Sequence, residues 1–200
     1  MIKKSYEIKN LYKNYDYYLF YGKNDGAKQE EIEKIVSLNK HKNLSKYDEK
    51  YILVNTESFL NDIYSGSLFE NEKIIIINSA SDKIIKIIEE ILSKKALNVS
   101  IIIEAEALEK KSKLRSFFEK SKFTGIVACY QDNEITFRKI ITKKLSSYKG
   151  LSTEMINLII QNTGLDRNKL NNEIDKIRSC FKDKIMDIEK VDLLLNTKTS

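Results

Sequence analysis

The chain has 200 residues, 42% of them hydrophobic, enough to bury a core in one large or two small domains, which excludes a disordered chain. Its 35 Lys and Arg against 29 Asp and Glu leave a net charge of +6, a lean toward anionic partners such as DNA. A composition crowded with Lys, Ile and Asn, and free of Pro and Trp, accounts for the same excess through an AT-rich coding sequence.

Between residues 17 and 130 short apolar runs alternate with amphipathic stretches, the pattern of a parallel sheet flanked by helices. Five strands are predicted at Tyr17 to Tyr21, Ile52 to Val54, Ile74 to Ile77, Ser100 to Ile103 and Ile126 to Cys129, each apolar on both faces. Ser81 and Asp82 are placed to cap a helix whose Ile84, Ile87, Ile88 and Ile91 form one stripe, and Ser112 to cap another carrying Leu114, Phe117 and Phe118.

After Tyr130 the polar run Gln131 to Glu134 breaks the pattern, and the remainder of the chain is predicted to be all-helical. Phe137, Ile141, Leu145 and Tyr148 make one stripe on a helix that Gly150 should end. A helix from about Thr153 carries Met155, Leu158 and Ile159 and stops at Gly164, suited to a left-handed cap. Asp166 should N-cap a helix bearing Leu170, Ile174, Ile177 and Phe181, and Ile188, Val191, Leu194 and Leu195 predict a last helix before a polar tail. The expectation is an α/β domain with a parallel five-stranded sheet over 1–131 and a small all-α domain over 132–200.

Cys129 and Cys180 lie in apolar patterns where buried, reduced thiols are usual, which points to the cytoplasm. The basic start has no apolar stretch after it, and the aliphatic run Ile74 to Ile77 is far too short to span a bilayer, so no membrane role is expected. His41 sits in a polar stretch with no second ligand beside it, and no metal site is predicted.

A strand, glycines and a helix are where a phosphate loop would sit, and Gly22 to Gln29 fails the G-x-x-x-x-G-K-[ST] pattern in three ways. Gly22 and Gly26 are one residue too close, Ala27 separates Gly26 from Lys28, and Gln29 stands where a magnesium-binding hydroxyl belongs. Asp25 adds a negative charge where phosphate would need the helix N-terminus, so the stretch reads as a tight turn capped by Asn24 or Asp25. Ile77 is followed by Asn78, Ser79 and Ala80, which offer no magnesium ligand, and Glu104 and Glu106 read as a solvated strand end without a base or nucleophile. No catalytic residue and no cofactor is predicted.

The segment Leu108 to Glu119, with its Leu-x-Lys-x-Ser-x-Leu-Arg run, followed by Ile126 to Tyr130, resembles the matching stretch of delta subunits of the bacterial DNA polymerase III clamp loader, in their alphaproteobacterial branch. Gly164 to Arg167 with Glu173 to Ile177 is similar to the family's second-domain helix pair, and Leu19 to Gly22 with Asn24 to Gly26 to its first strand and turn. The resemblance implies an AAA+-like (P-loop NTPase-type) first domain without a functional phosphate loop, a helical lid, and a third, collar domain that is absent from this chain. It implies as partners the sliding clamp (the beta subunit), the ATPase subunits and delta prime, with DNA reached through the assembled complex. The function expected from it is binding the clamp and wedging its ring open for loading onto DNA during replication. The subunit would be non-catalytic within a DNA-directed DNA polymerase holoenzyme.

In the family two neighbouring apolar residues enter a pocket on the clamp, and Ser67, Leu68 and Phe69 stand at the matching place. Without the family, Leu68 and Phe69 read as core after the amphipathic helix of Phe59, Leu60 and Ile63. The polar frames Ser65 to Ser67 and Glu70 to Glu72 equally suit an exposed apolar tip. Lys110, Lys111, Lys113 and Arg115, with Lys120 and Lys122, cluster on one helix, and Arg138, Lys139, Lys143 and Lys144 on another; both groups read as solvated faces or as DNA or partner contacts. Arg167 resembles the lid arginine that senses ATP in active relatives and is read as a surface or inter-domain ion-pair residue. The alternatives are a nucleotide-binding AAA+ ATPase, a stand-alone basic DNA-binding protein, and a scaffold with an unrelated partner.

Overall fold

The computed structural model describes residues 3–4, 15–65, 72–94 and 98–196. The chain divides into two units, one of residues 1–23 and 27–130, the other of residues 24–26 with 131–200.

The first unit is built on an all-parallel sheet of β1 (Lys3–Lys4), β2 (Tyr17–Tyr21), β3 (Asn43–Asp48), β4 (Lys73–Ala80), β5 (Val99–Ala105) and β6 (Thr124–Ala128). Their order across the sheet is β1-β6-β2-β5-β4-β3. Five strands carry the sheet and β1 adds a two-residue rim beside β6. Because strand side chains alternate between faces, each central strand feeds two apolar layers. Leu19, Ile75, Ile77, Ile101, Ile103 and Ile126 pack with Ile52 of α2 (Glu49–Val54), Phe59 and Ile63 of α3 (Thr56–Ser65), and Leu114 and Phe118 below. Tyr18, Phe20, Ile74, Ile76, Ile102 and Val127 pack with Ala27, Ile32 and Ile35 of α1 (Asp25–Leu38). Each fully buried Ile contributes about 1.5–3 kcal/mol, so the run Ile74 to Ile77 binds both layers to one strand.

The expected caps are present. Ser81 caps a 3-10 turn (Asp82–Ile84) that leads into α4 (Ile85–Ser93), and the Ser112 hydroxyl accepts from the Arg115 N–H at the start of α5 (Lys113–Lys120). The second predicted strand requires correction. Ile52 to Val54 is the end of α2, and the strand lies earlier, at Asn43–Asp48. Only Ile52 of the three is buried, while Val54 is 83% exposed, so this apolar triplet lacks the two-sided burial of a core strand and instead turns one residue per helical turn inward.

The second unit consists of α6 (Glu134–Lys144), α7 (Thr153–Thr163), α8 (Arg167–Cys180) and α9 (Ile188–Asn196) around Phe137, Ile141, Ile159, Leu170, Ile174, Ile177 and Val191. Asn133, Ser152 and Asp166 each accept backbone N–H bonds as N-caps, and Gly164 ends α7 in the left-handed region at φ 58°. The helix bearing Phe137 stops at Lys144 instead of running to Gly150. Lys149 leaves it to pair with the 184–186 segment, and Gly150 takes φ 89° where a Cβ would lie 2.4 Å from the Met186 carbonyl oxygen. Cys180, expected to be buried, is exposed at the end of α8, whereas Cys129 is buried. No described helix is long and apolar enough to cross a membrane.

Candidate functional site

Strand β2 lies between β5 and β6, yet the chain leaves it through α1 for β3 at the opposite rim. Its C-terminal end is therefore the point where the winding reverses, the place at which open α/β sheets bind ligands. The loop that begins there opens on Gly22, at φ 131°, whose Cβ would stand 2.1 Å from the Cys129 carbonyl oxygen. Only glycine fits, and the Gly22 N–H donates to the Glu106 carbonyl at 3.2 Å.

In the first unit, Lys28 points inward from α1, its side chain 3% exposed. Its ammonium donates to the Ala105 carbonyl at 3.2 Å and lies 3.2 Å from the Glu104 carboxylate. Glu104 is thus not a solvated strand end but the counter-charge of a buried lysine, while Glu106 is exposed. The lysine that a phosphate loop would present to its ligand is matched within the unit.

In the second unit, Arg167 grips Asp132 with two bonds, Nε to Oδ2 at 2.8 Å and Nη2 to Oδ1 at 2.6 Å. Asn24 Nδ2 donates to the same Oδ2 at 2.8 Å. The Arg167 and Asp132 side chains are only 8% and 4% exposed, so Arg167 is no surface residue. Gly26 lies against this pair, and a Cβ there would come within 2.7 Å of both Arg167 Cβ and Asn168 Oδ1. Sequence reading missed Asp132, because one acid in a polar break gives no sign that it pairs with an arginine 35 residues on.

A further pair of carboxylates organises the C-terminal edge of the sheet. Glu49 accepts from the Ser81 N–H and hydroxyl, and Asp82 accepts from the Ser112 hydroxyl at 2.6 Å and from the N–H groups of Lys113 and Leu114. Burial pushes the Asp82 carboxyl upward, but those hydrogen bonds outweigh it and hold the group below its usual range.

The basic residues divide by environment. Lys110, Lys111 and Lys113 are exposed, with Lys111 beside Glu109 at 3.0 Å. Arg115 does not belong with them: it binds Glu119 at 2.6 Å and the Leu108 carbonyl at 3.2 Å, and its guanidinium stacks 5.2 Å from the Tyr21 ring centre. Arg138 and Lys144 are likewise engaged, by Asn157 and Asn171. Ser67, Leu68 and Phe69 lie outside the described residues, in the segment after α3. Among the described residues no cluster of His, Cys, Asp and Glu is grouped as a metal site would require.

Comparison with known proteins gives a consistent result. The family described as DNA polymerase III, delta subunit matches residues 18–130. A protein of Rickettsia prowazekii (strain Madrid E) described as "Probable DNA polymerase III subunit delta" is 29% identical over 161 residues, covering 80% of this chain and 49% of the relative. The chain thus spans about half the length of that curated relative. Among solved structures, the Bacillus subtilis DNA clamp loader delta protein superposes with a TM-score of 0.63 at 16% identity, over 98% of this chain and 62% of that one. Thermotoga maritima RuvB matches at a TM-score of 0.53 and 12% identity, over 96% of this chain and 64% of that one. These structural likenesses show the α/β fold with its helical C-terminal region.

Proposed function

This chain belongs to the DNA polymerase III delta subunit family, and from that membership we propose that it binds a sliding clamp and holds its ring open for loading onto DNA, with no catalytic step of its own. The observation that carries the reading is the family match across residues 18–130, which takes in nearly the whole sheet unit. Two features support it over an ATPase: Lys28 is neutralised by Glu104, and Arg167 by Asp132. The same reading supplies the partners: the clamp, the ATP-hydrolysing loader subunits and delta prime, with DNA met through the assembly.

Leu68 and Phe69 are the proposed anchor, with Ser67 beside them, on a segment framed by polar residues. Burying one Leu and one Phe yields about 3–6 kcal/mol, and after association costs that alone supports no better than about millimolar binding. More surface must engage, and the exposed basic residues Lys110, Lys111 and Lys113 are candidates for contacts to partner or DNA. Ring opening requires tighter binding to the open or sprung clamp than to the closed one, because a ligand shifts an equilibrium only by its differential affinity.

The test is binding of the purified chain to the clamp of the same organism by surface plasmon resonance, alongside a Leu68→Ala/Phe69→Ala variant checked for fold by circular dichroism. Binding lost in the variant is the expected result. Binding kept by the variant moves the anchor elsewhere, and no binding by either protein refutes the clamp reading.

A further inference from the structure

We propose that Lys73 and Asp62 are positioning residues for clamp binding, setting the two ends of the chain segment that carries Leu68 and Phe69, an inference that rests on the clamp-binding function. Asp62 lies in the last turn of α3 and Lys73 opens β4, so the pair flanks that segment in the chain. The Lys73 ammonium donates to Oδ1 of the Asp62 carboxylate and to the Asp62 carbonyl, both at 2.7 Å, with only 15% of the lysine side chain exposed. Tyr47 on β3 donates to the other carboxylate oxygen at 2.8 Å. These bonds hold both the side chain and the main chain of one helical residue.

The last four carbonyls of an α-helix, here those of Asp62 to Ser65, find no donor inside the helix, and that end carries partial negative charge. A cation from the following strand answers both, and ties the last turn of α3 to the sheet. The start of β4 is fixed separately. The Lys73 N–H donates to the Asn98 carbonyl at 2.9 Å, the Asn43 N–H donates to the Glu72 carbonyl at 2.8 Å, and Lys42 lies 3.1 Å from the Glu72 carboxylate. Lys73 therefore links a fixed strand to a helix end. Two apolar side chains supply little binding energy, and any ordering of the chain on either side of them is subtracted from it. Holding the helix end in advance avoids part of that loss, so the pair acts on clamp affinity as well as on stability. A purely structural ion pair would leave the affinity of any folded variant unchanged.

The test uses the full chain and the clamp of the same organism, by surface plasmon resonance well below the melting temperature, with the fold checked by circular dichroism. Lys73→Met should bind about tenfold more weakly than the parent, and Lys73→Arg, which keeps a cation with several donors, within about threefold of it. Lys73→Met binding as tightly as the parent overturns the proposal, as does equal weakening by Lys73→Arg. Should Lys73→Met not fold, Asp62→Asn is compared with the parent in the same way, and failure of both to fold overturns the proposal. No binding by the parent refutes the clamp reading and this inference with it. Binding that survives Leu68→Ala/Phe69→Ala removes the anchor and also overturns the inference. Binding that Leu68→Ala/Phe69→Ala abolishes and Lys73→Met leaves intact overturns this inference alone.

Discussion

The Lys28 ammonium lies 3.2 Å from the Glu104 carboxylate, with only 3% of the lysine side chain and 24% of the glutamate side chain exposed. A charge pair so placed is costly to break from one side, because the surviving ion keeps its burial and loses its partner. Glu104→Ala is expected to destabilise the chain by about 2 kcal/mol, less than the roughly 3–5 kcal/mol of a fully buried pair since Glu104 retains some water. Replacing both members, in Lys28→Met/Glu104→Leu, should be milder than Glu104→Ala alone. Urea denaturation of the parent and the two variants checks this, and a double variant as destabilised as Glu104→Ala, or more so, refutes it.

Gly26 sets two effects against each other. Alanine is the better helix former by up to about 1 kcal/mol, and Gly26 lies in the first turn of α1. Its added Cβ would press to 2.7 Å on the buried stem of Arg167, and overpacking costs typically about 1–3 kcal/mol. The clash should win, making Gly26→Ala a net loss of about 1 kcal/mol. Gly22→Ala, with backbone at φ 131° and a carbonyl 2.1 Å away, should lose on the order of 3 kcal/mol or fail to fold. Denaturation midpoints of the two variants rank them.

Asp82 caps α5 from 30 residues away in the chain. Asp82→Ala removes the acceptor for Ser112, Lys113 and Leu114 and should cost about 1–2 kcal/mol, as the loss of an N-cap does. The cause also fixes the pH dependence. The folded-state pKa is held below its ordinary 3.8, so the stabilisation is fully present above that value and is lost as pH falls through the lower folded-state value. Stability differences between the parent and Asp82→Ala should therefore narrow only in acid.

Tyr47 donates to Asp62 at 2.8 Å, and Asp62 also accepts from Lys73 at 2.7 Å. Burial, with the Asp62 bond, pushes the Tyr47 phenol up from 10.0 to about 12. The protonated form is the one favoured in the fold, so this stabilisation is complete below pH 10 and is lost as pH rises toward 12. Tyr47→Phe should show less alkaline loss of stability than the parent, and phenolate absorbance should lose one of its late-titrating groups.

How much of each element was legible in the sequence depends on how that element is buried. The central strands, apolar on both faces, and the helices of the second unit, with caps at Gly164 and Asp166, carry their signals locally and were legible. Strand β3 was not, since at the rim it buries no residue fully and sets Leu44 and Tyr47 among polar residues, and the nearby Ile52 to Val54 offered a stronger but false apolar signal. At the candidate site the failed phosphate pattern was legible from Gly22 to Gln29. The groups that neutralise the buried cations were not, because Glu104 lies 76 residues from Lys28 and Asp132 lies 35 from Arg167.

The rims of the sheet bear on how the protein behaves at high concentration. A parallel sheet ends in rows of unpaired backbone groups, which invite stray strands of other molecules. Here one rim is the two-residue β1, too short to template an addition, and the other is β3, whose Asn43, Lys46 and Asp48 are all exposed. Each side chain of that kind penalises an incoming apolar strand by desolvation, so polymerisation through edge-to-edge pairing is disfavoured at both ends, and the isoleucine-rich strands that would aggregate most readily are held in the interior of the sheet.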